Sequence, residues 1–130
     1  MTAWKRLSLP TLRDAHASVP AYDPATVACG ILHLGVGAFH RAHQAVYVDD
    51  CLGAGETGWG IVGASLRSPD TRDALAPQDG LYTLETQDAS GTRLRVVGAL
   101  RELLVAPEDP PALVARLADP AIRIVTLTVT

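Results

Sequence analysis

Residues 33–44 read HLGVGAFHRAHQ. Gly35 and Gly37 stand one residue apart. An apolar run, CGILHL (29–34), precedes them, and a segment with helical apolar spacing follows. A strand that turns on glycine into a helix can form an anion-binding corner. Gly35 permits the sharp turn. Gly37 lacks the Cβ that would keep a pyrophosphate away from the backbone. The first N–H groups of the helix would then face the phosphates, assisted by the helix dipole. The third glycine of the usual pattern is absent, since position 40 is His40. A tight turn that binds nothing is the alternative; placement between strand and helix favours the binding reading.

The acidic residue expected about 20 positions further on, at the end of the second strand, is also missing. In its place stand Leu66, Arg67 and Ser68, with Asp70 a little later. Arg67 could stack on an adenine or meet a 2′-phosphate, and Asp70 could accept from a ribose hydroxyl. A solvated loop with an acid in a helix first turn is the plainer account of both. His40 and His43 are spaced i, i+3 and could share a metal. No third ligand has suitable spacing and Arg41 lies between them, so no metal is expected. Both read as polar contacts at a helix start, and His33 reads as a satisfied core histidine.

Outward from this corner, residues 1–28 form an arm interrupted by Pro10, Pro20 and Pro24. CGILHL is a short strand, and Ala38 to Leu52 suits one helix. WGIVGAS (59–65) is a second buried strand. Ser68 as N-cap and Pro69 as first helical residue open a short helix ending near Pro77. LYTLETQ (81–87) and TRLRVVGAL (92–100) predict a hairpin closed by the four-residue loop 88–91. Pro110 and Pro111 open a helix to about Ala118, and IRIVTLTV (122–129) is a β-branched central strand. Strands alternating with helices imply an α/β fold with a mainly parallel sheet and a β-hairpin insertion.

The 130 residues are 48% hydrophobic and 19% charged, enough to build a core and too apolar for wholesale disorder. A net charge of −3 without a basic run argues against nucleic acid as partner. The N-terminal residues lack an apolar signal region, and no apolar run is long enough for a membrane span. Cys29 and Cys51, without CxxC spacing, read as reduced structural thiols in a cytoplasmic protein.

Three blocks carry a family resemblance: GVGAFHRAHQAVYVDD (35–50), WGIVGASLRSPDTRDALAPQDGLYTL (59–84) and RIVTLTVT (123–130). Together they resemble the N-terminal domain of the mannitol dehydrogenase and fructuronate reductase family, polyol-specific long-chain dehydrogenases. The resemblance implies a Rossmann-type domain over residues 29–130 that binds NAD, with NADP as a possibility. It implies hydride transfer at C2 of a sugar alcohol or aldonate, of the mannitol/fructose or mannonate/fructuronate type. It places the cofactor loop on Gly35, Gly37, Ala38, Phe39, His40 and Arg41. The adenosine end falls at Arg67 and Asp70, and the end of the last strand, Thr128 to Thr130, approaches from the side.

Relatives of this kind continue into a Glu-Lys-Gly-Tyr motif and a helical substrate domain carrying Lys-x4-Asn-x2-His. Neither motif occurs here, and Lys5 is the only lysine in the sequence. Hydride transfer from an alcohol needs a group that takes the hydroxyl proton. The expectation is therefore a partial domain, incomplete at its C-terminus, with no catalytic residue of its own and no substrate domain. A catalytically inactive fragment or interaction module that keeps the half-fold is the alternative. Another ligand of the same fold, such as a flavin or a methyl donor, would use the same loop. On either reading the β-branched run 122–129 would present a bare apolar edge, which invites association.

Overall fold

A computed structural model describes residues 3–129. Strand β1 spans Cys29–Leu34 and β2 spans Gly60–Ser65. Between them lie helices α1, Ala38–Ala42, and α2, Gln44–Gly53. Helix α3 covers Asp70–Leu75, followed by the hairpin of β3, Tyr82–Asp88, and β4, Gly91–Val97. Strand β5, Leu100–Val105, helix α4, Pro110–Ala118, and strand β6, Ile124–Leu127, complete the order. Four parallel strands form one sheet in the order β5-β2-β1-β6, and β3 and β4 form a separate antiparallel pair.

The chain builds the sheet from β1 outward to β2 and β5, then crosses back through α4 to lay β6 on the other side of β1. The strand order reverses at β1. A crevice opens outside the C-terminal strand ends at such a reversal, and there open α/β sheets bind ligands. Both faces of β1 and β2 are covered, as parallel sheets require. Ile31 and Ile61 face a core with Ala45, Leu52 and Leu75, while Leu32 and Val62 face Leu104, Leu113 and Ile122. Cys29 falls with Leu32, because the β1 register slips between Cys29 and Ile31. Burial pushes the Cys29 thiol up to about 11. Cys51 is exposed, so only Cys29 is a core thiol.

Four expectations need correction. The segment 92–100 is not one strand: β4 stops at Val97, and the chain joins the parallel sheet as β5 from Leu100. The arm packs against the break. A Cβ on Gly98 would sit 3.0 Å from the Pro20 and Pro24 rings and the Tyr22 hydroxyl. The hairpin pairs Asp88 with Gly91, which leaves a loop of Ala89 and Ser90 rather than four residues. The start of α3 lies one residue later than expected, with Pro69 at the cap and Ser68 Oγ accepting from the Asp70 N–H. Strand β6 is an edge, with a neighbour only in β1 among the described residues. The arm itself lies along the hairpin, where Ser18 bonds the backbone of Leu94 and Val96.

Candidate cofactor site

The corner after β1 has the turn the sequence demands. Gly35 has φ +92°, a left-handed conformation that side chains disfavour. Its N–H donates to Ala64 O at 2.8 Å, which fastens the loop to β2. Val36 plugs into the core; a Cβ on Gly63 would come within 2.9 Å of it. Gly37 is different. Its backbone is extended, with φ −99° and ψ −172°, and an added Cβ would meet nothing nearer than Gly35 O at 3.8 Å. The protein's own packing does not require glycine there. An open approach to that backbone fits a ligand lying against it, as the pyrophosphate of a dinucleotide does. The N–H groups of Ala38, Phe39 and His40, the first in α1, have no intrahelical acceptor.

The single helix expected from 38 to 52 is broken at His43, where φ is −123° and ψ −86°. Here a side chain competes with its own backbone. His43 Nδ1 lies 2.8 Å from Phe39 O, the carbonyl its own N–H would take in a continuous helix, and that N–H goes to His40 O instead. Anion attraction at α1 therefore rests on the free N–H groups more than on a long dipole.

His40 is not the polar contact at a helix start expected of it. It is 2% exposed, and its ring stacks on His33 at 3.7 Å and 10°. Among the described residues neither ring nitrogen of His40 has a hydrogen-bond partner. Burial first, then neighbouring His33, lowers its pKa to about 4. The helix that a third glycine would let close onto the strand here rests on an imidazole instead. His33 is the satisfied core histidine expected: Nδ1 pairs with Thr126 Oγ1 at 2.8 Å and Nε2 with Thr128 Oγ1 at 3.2 Å. Burial lowers its pKa as well, against an opposing contribution from the Gly35 backbone.

The remaining residues divide by position. Thr128 reaches the corner through His33. Phe39 is 66% exposed and stacks on His43. Arg67 and Asp70 lie exposed after β2, the strand beside β1. Thr130 lies outside the described residues. No group of three or more His, Cys, Asp or Glu side chains is placed to hold a metal among the described residues. Lys5 pairs with Asp14 within the arm.

Sequence reasoning missed three supports. The Tyr82 hydroxyl donates to Arg41 O at 2.5 Å, so the hairpin steadies the end of α1. Gln44 accepts from Thr126. Buried Asp49 accepts from the Tyr22 hydroxyl, from Gly98 N–H at 2.8 Å and from Arg95 at 2.8 Å, tying arm, α2 and hairpin together. Only the alternation of Thr126, in β6, and Thr128, just beyond it, hinted that two hydroxyls share a face.

Residues 29–130 match the family model of the mannitol dehydrogenase Rossmann domain. Mannitol 2-dehydrogenase of Cereibacter sphaeroides is 50% identical over 85% of this chain and 24% of its own length. The polyol:NADP oxidoreductase of Gluconobacter oxydans is 45% identical over 92% of this chain and 26% of its own. A structure of Pseudomonas fluorescens mannitol 2-dehydrogenase in ternary complex with NAD and D-mannitol superposes with a TM-score of 0.88. Its identity is 45%, and the match covers 94% of this chain and 26% of that one. The chain thus spans about a quarter of the length of these relatives.

Proposed function

The chain belongs to the mannitol dehydrogenase family through its Rossmann domain, and from that premise we propose that it is the nicotinamide-dinucleotide-binding part of a polyol oxidoreductase. Residues 29–130 bind NAD or NADP, and residues 1–28 form a packing arm. A sugar alcohol or keto-sugar acid is a substrate only where a substrate domain accompanies these residues. The observation that carries the reading is the open backbone at Gly37, beside a left-handed Gly35 and the first N–H groups of α1, at the strand-order reversal.

The bound nicotinamide ring supplies or takes up the hydride. This chain's residues position it. The N–H groups of Ala38, Phe39 and His40 would hold the pyrophosphate, and Arg41 would offer charge nearby. Phe39 would lie beside the pyrophosphate or the nicotinamide side, and Thr128 would approach from just beyond β6. Arg67 favours a 2′-phosphate and Asp70 a free ribose hydroxyl, so the two cofactors divide between them. Among the described residues of these elements no group is placed to take the alcohol proton. Chemistry therefore requires the substrate domain, and a cytoplasmic setting suits the free Cys29 thiol.

Titration of the chain with NADH, read as nicotinamide fluorescence, tests the proposal. A saturating change is expected. No response at millimolar NADH would refute it.

A further inference from the structure

The hydrogen bonds around His33 run in one direction. The Thr126 hydroxyl donates to Gln44 Oε1 at 3.0 Å. A hydroxyl has one proton, so Thr126 can only accept from His33 Nδ1, which lies 2.8 Å away. Nδ1 therefore carries the ring proton. Burial favours the neutral ring, and in the neutral ring with Nδ1 protonated Nε2 is bare and can accept from the Thr128 hydroxyl 3.2 Å away. The stacked His40 ring fixes the plane of His33. The proton of Thr128 points inward along this chain, and only its lone pairs remain for the crevice. Thr128 is exposed just beyond Leu127, at the C-terminal end of β6.

We propose that Thr128 is a specificity-determining acceptor: it takes a hydrogen-bond donor of the dinucleotide, either a ribose hydroxyl or the nicotinamide carboxamide N–H, and disfavours a phosphate or carbonyl oxygen. This rests on the cofactor reading above. A phosphate oxygen needs a donor and finds them across the crevice in the Gly35–His40 backbone. Two threonines and two histidines on neighbouring elements thus divide the crevice into a donating side and an accepting side.

Two experiments test it. In long-range proton–nitrogen spectra of the chain, His33, assigned by comparison with His33→Gln, should show a protonated Nδ1 and a bare Nε2. A protonated Nε2 would mean that the Gln44 amide is turned and the chain of bonds reversed, which overturns the proposal. In NADH titrations, Thr128→Ser should bind like the unaltered chain, and Thr128→Val about three- to tenfold more weakly. Equal binding by Thr128→Val, at an unchanged melting temperature, overturns the proposal. The analogue with an acetyl group in place of the carboxamide separates the two donors. A valine penalty that persists assigns the ribose hydroxyl; one that vanishes assigns the carboxamide. If the unaltered chain binds no NADH, the cofactor reading fails, and with it the dinucleotide as the donor; the polarity of Thr128 is then decided by the His33 spectrum.

Discussion

Replacing Gly37 by valine should abolish dinucleotide binding while leaving the fold almost untouched. The backbone at Gly37 is extended, a conformation that valine accepts readily, and a new Cβ meets no atom closer than 3.8 Å. Losing glycine at a helix cap costs under roughly 1 kcal/mol, or a few degrees in melting temperature. The cost to binding is far larger. A valine side chain there occupies the line of approach to the Ala38–His40 N–H groups. Bonds from such groups to an anion contribute about 1.5–3 kcal/mol each, and losing two of them weakens binding at least roughly a hundredfold. Gly63→Val is the contrasting control: its Cβ would meet Val36 and Leu100 at 2.9–3.0 Å, so it should destabilise the core. NADH fluorescence titration and thermal melts by circular dichroism report the two quantities separately. Normal NADH affinity in a folded Gly37→Val chain would show that no ligand lies against this backbone. A chain that fails to fold would show that the glycine serves the fold after all.

Asp49→Ala leaves Gly98 N–H and the Tyr22 hydroxyl without an acceptor, while Arg95 keeps Asp50 at 2.6 Å. The loss should be about 3–5 kcal/mol, a fall of roughly 10–20 °C in melting temperature, and a shift below a few degrees would contradict the role given to this carboxylate. His40, with its pKa lowered to about 4, stays neutral when folded, whereas the unfolded chain takes up its proton below the ordinary histidine value near 6.5. Stability therefore falls as pH drops through that window, by about 2 kcal/mol between pH 7 and pH 5 in urea melts, and His40→Leu should flatten the slope. Strand β6 exposes Ile124, Val125 and Leu127 along an unpaired edge, so the 130-residue chain should associate at tens of micromolar in sedimentation runs. Val125→Lys should reduce that association, and a monomeric, cooperatively melting parent chain would refute it.

Much of this architecture was legible because local signals agreed. CGILHL and WGIVGAS are apolar runs bounded by turn residues, and both became strands within one residue of expectation. The Gly35 corner lay where its order in the chain placed it. Strand β5 was hidden because Arg101 and Glu102 interrupt its apolar pattern, while Gly98 and Ala99 gave too weak a turn signal to separate it from β4. The helix break at His43 depends on a side-chain bond to a carbonyl four residues back, which spacing alone does not reveal. The His33–His40 stack and the threonine contacts depend on the parallel register of β1 with β6, set only when the chain crosses back through α4. Arg67 and Asp70 stay exposed after folding, so the fold adds nothing to choose between NAD and NADP.

The central claim is that a dinucleotide lies against the backbone from Gly35 to Arg41. Adding NADH to nitrogen-15-labelled chain and following every backbone amide tests it most directly. The account predicts saturable shifts largest at Gly35, Gly37, Ala38, Phe39 and His40, with Thr128 and the Arg67–Asp70 stretch also moving. Shifts confined to another surface, such as the arm around Leu9, Pro10 and Val19, with the Gly35–Arg41 amides unmoved, would contradict it.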